Sequence, residues 1–241
     1  MLYGEQMDNV STPPRGGPRR GGLAAEDAYL SLKRRLTHGH YRAAERIDVD
    51  ALRVEFGVSK QPIMEALRRL SAEGLVVIVP QVGCRVVDYD HADVTDFFAL
   101  MAAVEGLAAA QAAERRTTAQ LARLDSISSR IGVLGDLPGA EDRTEGYLSL
   151  NREFHSQVHQ MSGTSIVEEI GSGLYDRADL FIHLSTSRSP LADTIAERHA
   201  DHERIRDAIA RSDAIAADRA ARDHIFGTVE LIERSRALES R

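Results

Sequence analysis

The sequence predicts a mainly α-helical protein in two parts: a small N-terminal helical module closed by a two-stranded hairpin, and an all-α antiparallel bundle after it. Three observations carry this. Apolar residues recur at helical spacing through most of the 241 residues. Glycine, proline and serine or threonine interrupt that spacing at short intervals. One stretch, VVIVPQVGCRVVD at 76–88, is β-branched enough for strands.

Residues 1–22 are rich in Pro, Gly and Arg without apolar periodicity, and are expected to form a disordered arm. Ala28, Leu32 and Leu36 then mark an amphipathic helix over 25–38, stopped by Gly39. Asp48 is placed to cap a short helix, with Ile47 and Leu52 as a hydrophobic staple across its first turn. Gly57 ends it. Ser59 is placed to cap the next helix, whose first turn tolerates Pro62 because the missing N–H has no partner there anyway. Ile63, Leu67 and Leu70 form its buried stripe, and Gly74 supplies a left-handed stop with Leu75 beside it. Two helices about a short glycine turn make a helix-turn-helix, and the strands Val76–Val79 and Arg85–Val87 around Pro80 and Gly83 make it winged.

Charge divides the chain in the same place. Residues 23–88 hold 10 Lys/Arg against 9 Asp/Glu, residues 89–241 hold 17 against 26, and the first 22 hold 3 against 2, giving the net −7. A near-neutral module joined to an acidic remainder implies two domains with different partners. The negative total does not exclude DNA, because phosphates sense the local field of one face. No apolar run of ~18 residues suited to a membrane span is expected, nor a secretory leader. The single Cys84 excludes an intrachain disulfide and suits a reducing cytoplasm.

Helical geometry sets Lys60, Gln61, Met64, Glu65 and Arg68 away from the buried stripe. Gln61 can read adenine through paired hydrogen bonds, and Lys60 can reach guanine or a phosphate. Met64 can lie on a thymine methyl, Ser59 on a phosphate, and the Gln81–Gly83 wing tip in a neighbouring minor groove. Glu65 is expected to pair with Arg68 or Arg69.

On the stretch FGVSKQPIMEALRRLSAEGLV (56–76) and the short wing with Gly83, residues 23–88 resemble the DNA-binding domain of the GntR family of bacterial transcription regulators. The chain departs from the family pattern at Ala43-Ala44, where Pro-Gly is common. It departs also at Asp50, where a basic residue is usual, and at Met64, where the recognition helix often carries Arg. These departures bear on operator sequence.

Helical segments are expected at 91–114, 117–133, 143–162, 164–186, 190–210 and 213–237, making a bundle domain over 91–237 able to enclose a ligand. Asn151 and His155 share a helical face at i and i+4. His202 and His224 fall at similar depth on two helices that turn near 211–213. Three imidazoles and an oxygen suit Zn, Ni, Mn or Fe. By spacing alone, His155/His159 and His199/His202 are equally good pairs.

The segments NREFH, DHERIRDAI and ARDHI resemble the metal-binding pattern of the FadR-like FCD branch of GntR regulators. With the N-terminal domain, the resemblance spans residues 23 to about 236. It implies a divalent metal on Asn151, His155, His202 and His224, with Asn151 replacing the commoner Asp. His159, His183 and His199 are left as supporting residues. It also implies a small organic-acid effector. Members often carry Arg four residues before the glutamate that is Glu105 here, and this chain has Met101. The effector is then less acidic, or Arg177 takes over, unless Arg177 pairs with Asp176 or Asp179 at the surface.

The expected function is a cytoplasmic, homodimeric regulator of a palindromic operator, most often a repressor in this family, controlled by an effector in the helical domain. The alternatives are a metal-dependent enzyme built on the histidine cluster and a ligand-free dimerisation module.

Overall fold

The computed structural model describes residues 21–136, 139–185 and 194–239. The expected arm falls outside them except for Gly21 and Gly22, and so does the expected break at Ser189-Pro190. The N-terminal domain runs α1 (Gly21–Thr37), β1 (Arg46–Ile47), α2 (Val49–Phe56), α3 (Lys60–Ala72), β2 (Val76–Val79) and β3 (Gly83–Val86). The bundle runs α4 (His91–Arg115), α5 (Thr118–Gly132), a 3₁₀ turn (Leu134–Asp136), α6 (Ala140–Met161), α7 (Ser165–Ser185), α8 (Ile195–Ala210) and α9 (Ala214–Glu239).

Local chemistry explains the N-terminal elements. The Asp48 carboxylate accepts from the Asp50 and Ala51 amides at 2.9 and 3.0 Å and so starts α2. Gly57 ends it in the left-handed region at φ 64°. Ser59 occupies the N-cap of α3 with extended backbone, but its side chain caps nothing, contrary to the expectation. The residue is exposed. Leu32, Leu36, Ile63, Leu67 and Leu70 are wholly buried in one cluster.

The wing is one strand richer than expected. β3 lies between β1 and β2, antiparallel to both, with Arg46 opposite Arg85 and Val77 opposite Arg85 on the other side. A two-residue strand is too short to leave a periodic signature. It removes one edge of a hairpin that would be marginal alone.

In the bundle, α4 packs closely along α9, and a Cβ on Gly106 would collide with the Asp218 and Arg222 side chains. By length and composition α4 could cross a membrane, against the expectation that no segment qualifies; 56% of its apolar window is buried, as in the core helix of a bundle.

Helix α7 joins the halves. Leu180 is fully buried in the N-terminal core, worth about 1.5–3 kcal/mol of burial. Asp176 pairs with Lys33 of α1. Arg177 donates from Nε to the Glu73 carbonyl at 3.2 Å, at the C-terminus of α3.

Gly57 and Gly74 both have positive φ, but they differ in surroundings. A Cβ on Gly57 meets nothing, whereas one on Gly74 would strike the Arg177 guanidinium. Gly57→Ala should therefore cost the left-handed backbone penalty alone, about 1–2 kcal/mol. Gly74→Ala should cost more, and Arg177→Ala should relieve the excess. Denaturant midpoints of the three variants and the double variant check this; equal losses for both glycines would contradict it.

Candidate functional site

Two surfaces carry chemistry. On α3, Lys60, Gln61, Glu65 and Arg68 are exposed, while Met64 is half-buried against the N-terminal core. Arg69 is drawn away: it pairs with Glu26 and lies 3.6 Å from the Tyr29 ring centroid. Of the two partners expected for Glu65, Arg69 is thus taken by a longer-range pair across α1 and α3, and Arg68 forms no ion pair with it among the described residues. At the wing, Gln81, Val82 and Gly83 are exposed, with Gln81 at φ 62° and Gly83 at φ 128°. Ser59, Lys60, Gln61 and Arg68 thus stand on one side of the domain, free of internal ion pairs among the described residues.

The second surface is internal. His155 from α6, His202 from α8 and His224 from α9 are all buried, and each offers a ring nitrogen within 4.8 Å of the other two. Ring centroids lie 4.5 Å apart for His202–His224, 5.1 Å for His155–His224 and 5.3 Å for His155–His202. The turn at Arg211–Asp213 makes α8 and α9 antiparallel neighbours, which brings residues 202 and 224 level.

Buried carboxylates orient the rings. Glu105 of α4 takes His155 Nδ1 at 2.8 Å and His159 Nε2 at 2.6 Å. Burial raises the Glu105 carboxyl, but the two rings outweigh it and hold it down at about 2. His155 Nδ1 faces Glu105, and its Nε2 lies 3.2 Å from His224 Nε2. Asp201 Oδ2 stands 3.4 Å from His224 Nδ1, without a hydrogen bond between them. Burial, helped by the neighbouring rings, pushes His202 well below its usual value, and burial brings His224 to about 4 despite Asp201. Both are therefore neutral at pH 7, the state in which imidazole binds metal. Both His202 nitrogens are buried without a hydrogen-bond partner. Such orphaned nitrogens, with carboxylates behind their neighbours, fit a metal centre.

Asn151 stands one turn before His155, and its Oδ1 accepts from the Tyr147 hydroxyl at 3.3 Å. It lines a cavity with His224, Met101, Phe98, Arg198 and Asp179. The cavity holds about 30 Å³, roughly the share of one water molecule. Burial, against the pull of Arg152, raises Asp179 to about 6.

Met101 lies on this wall, but Arg177 does not: it faces the N-terminal domain, and neither Asp176 nor Asp179 is its partner. Those two carboxylates hold Arg152 instead. The cation on the cavity is Arg198, nearly buried, with Nη1 donating to the His224 carbonyl at 2.9 Å, Nη2 on Asp201 at 2.5 Å and Nε unpaired. Sequence reasoning missed it, although Arg198 precedes His202 by the same four residues that separate Asn151 from His155. Among the other histidines, His159 sits on Glu105 under Gly171, where a Cβ would collide with its ring.

His202→Leu should stabilise chelator-treated protein by about 1–3 kcal/mol, because two buried unsatisfied nitrogens are removed. The same change should abolish the rise in thermal midpoint that added Zn²⁺ gives the wild-type chain. An equal rise in both proteins would exclude His202 from the centre.

Comparison with known proteins agrees with both halves. Residues 24–86 match the model of the gntR family of bacterial regulatory proteins, and residues 96–227 match the FCD domain. The chain is 22% identical over 216 residues to the HTH-type transcriptional repressor GlaR of Escherichia coli K12, covering 89% of this chain and 98% of that one. It is 24% identical to the HTH-type transcriptional repressor RspR of the same strain, covering 88% and 90%. Of solved structures, E. coli McbR/YncC shares the fold at TM-score 0.72 and 18% identity, covering 88% of this chain and 97% of that one. A GntR regulator from Rhodococcus sp. RHA1 shares it at 0.65 and 17%, covering 88% and 98%. These families and relatives are transcriptional regulators, so the metal-dependent enzyme is set aside. The chain is a transcriptional regulator of the GntR family, in its FCD-domain branch.

Proposed function

We propose that the protein is a homodimeric repressor of a palindromic operator, released by a small organic acid bound beside a divalent metal in the helical domain. The observation that carries this is the meeting of three buried histidines from three helices next to a cavity that also holds a buried arginine. The repressor names of GlaR and RspR support the sign of regulation.

His155, His202 and His224 would hold the metal, with Asn151 as an oxygen donor on the same side. Three imidazoles and an amide oxygen suit Zn, Ni, Mn or Fe. When bound, the ion supplies Lewis-acidic positive charge to a carboxylate. Arg198 provides the second cation, in the role that Met101 leaves open, and Phe98, Met101 and Ile225 receive the apolar part of the effector. A cavity of about 30 Å³ is too small for an organic acid, so binding must move its walls.

That movement has a route to the DNA-binding domain. Asp179 and Arg152 join the cavity wall to α7, Asp176 joins α7 to Lys33 of α1, and Arg177 holds the end of α3. A coupling of ~1–3 kcal/mol between effector and operator suffices for regulation. At the other end, Lys60 and Gln61 read bases, while Ser59 and Arg68 contact phosphate. Met64 touches a thymine methyl, and the tip at Gln81 and Gly83 enters the adjoining minor groove.

Elemental analysis of protein purified without added metal tests the centre. His224→Ala should lose the metal. Asn151→Asp, which adds a negative charge among the donors, should tighten it by about tenfold or more. Stoichiometric metal retained in His224→Ala would refute the ligand set.

Lys60→Ala/Gln61→Ala should lose the duplex that the wild-type chain selects from random DNA while keeping its helicity. Each base contact is worth about 1–3 kcal/mol. Unchanged selection would refute the groove assignment. A thermal midpoint indifferent to both chelator and organic acids would favour a ligand-free dimerisation module instead.

A further inference from the structure

The N-terminal domain holds ten cations between residues 23 and 88. Lys33, Arg35, Arg53 and Arg69 are neutralised by Asp176 and Glu73, Glu55, Asp50 and Glu26 respectively. Lys60 and Arg68 belong to the recognition helix. Two others stand in an arrangement that stability alone does not favour.

Arg46 of β1 and Arg85 of β3 are direct antiparallel partners, both exposed on the outer face of the wing. The next rung, Ile47 opposite Cys84, is buried on the inner face. Like charges directly opposed across a ladder are destabilising. Among the described residues no carboxylate lies within ion-pair distance of either. Asp48 is close enough to feel Arg46, but its oxygen is already taken by the α2 amides. The Arg46 side chain runs along the sheet towards the tip: its Nε lies 3.8 Å from where a Cβ on Gly83 would sit. The hairpin itself carries no cation between Val76 and Cys84. The charge beside the tip therefore comes from Arg85 in β3 and from Arg46 on a strand thirty-seven residues before Gly83.

We propose that Arg46 and Arg85 form a paired phosphate clamp, in which the backbone of the duplex entered by the wing supplies the missing anion. The clamp rests on the DNA-binding reading above. It serves affinity and register, not base choice, because phosphates carry no sequence information.

The test uses the full-length chain and a duplex that the wild-type protein selects from random DNA, with dissociation constants measured from about 50 to 200 mM KCl. Arg46→Ala and Arg85→Ala should each reduce the log–log salt slope by about 0.9, the share of one phosphate contact. The preference among selected sequences should stay unchanged and the thermal midpoint should not fall. Arg46→Lys should restore the slope. Arg35→Ala and Arg69→Ala, whose charges are already neutralised internally, should leave it as in the wild type. A selected duplex bound with wild-type slope by both Arg46→Ala and Arg85→Ala overturns the clamp alone, as does a changed sequence preference at unchanged slope. If the wild-type chain selects no duplex, the DNA-binding reading falls and the clamp with it.

Discussion

The bundle is organised around a carboxylate that has no access to water. Glu105 lies on the central helix α4, 1% exposed, and two histidines of α6 close on its oxygens. A buried carboxylate without partners costs several kcal/mol, so α6 is held at one rotation and one height against α4. That fixes His155 with one nitrogen towards Glu105 and the other towards His224. Gly171 on α7 is required by the same arrangement, since only a residue without a side chain leaves room for the His159 ring.

The consequences spread through α6. Its next turn presents Asn151 to the cavity, while Arg152 turns to Asp176 and Asp179 on α7. Helix α7 is thus anchored to the histidine-bearing helix on one side and to the N-terminal domain on the other, through Leu180, Asp176 and Arg177. A change in the cavity has no need of a long mechanical path. Its wall includes Asp179 of the helix that holds both α1 and the end of α3.

Much of this was legible in the residues. Asp48, Gly57 and Gly74 act through backbone rules that depend on a few neighbours, and each does what its position implies. Helical geometry alone left His155/His159 and His199/His202 as equally good pairs, and the resemblance to the FCD pattern singled out His155, His202 and His224. The failures have a common cause. The expectations were that Ser59 caps with its side chain, that Glu65 pairs with Arg68 or Arg69, and that Arg177 faces the effector or its neighbouring aspartates. For Arg69 and Arg177 these are choices among competing partners, and the winning partners, Glu26 and the Glu73 carbonyl, come from segments 43 and 104 residues away. β1 escaped notice because two residues show no period.

The sequence by itself determined the helices and their stops, because these follow from local periodicity and capping, and its resemblance to a family named the candidate metal donors. Tertiary structure decided which donors meet, which cation faces the cavity, and which arginines remain unpaired at the wing. Those outcomes depend on the relative placement of helices and strands, where a buried charge must find a counter-charge from whatever segment the packing brings beside it. A one-dimensional pattern can name the groups that need partners; only the packed chain selects among them.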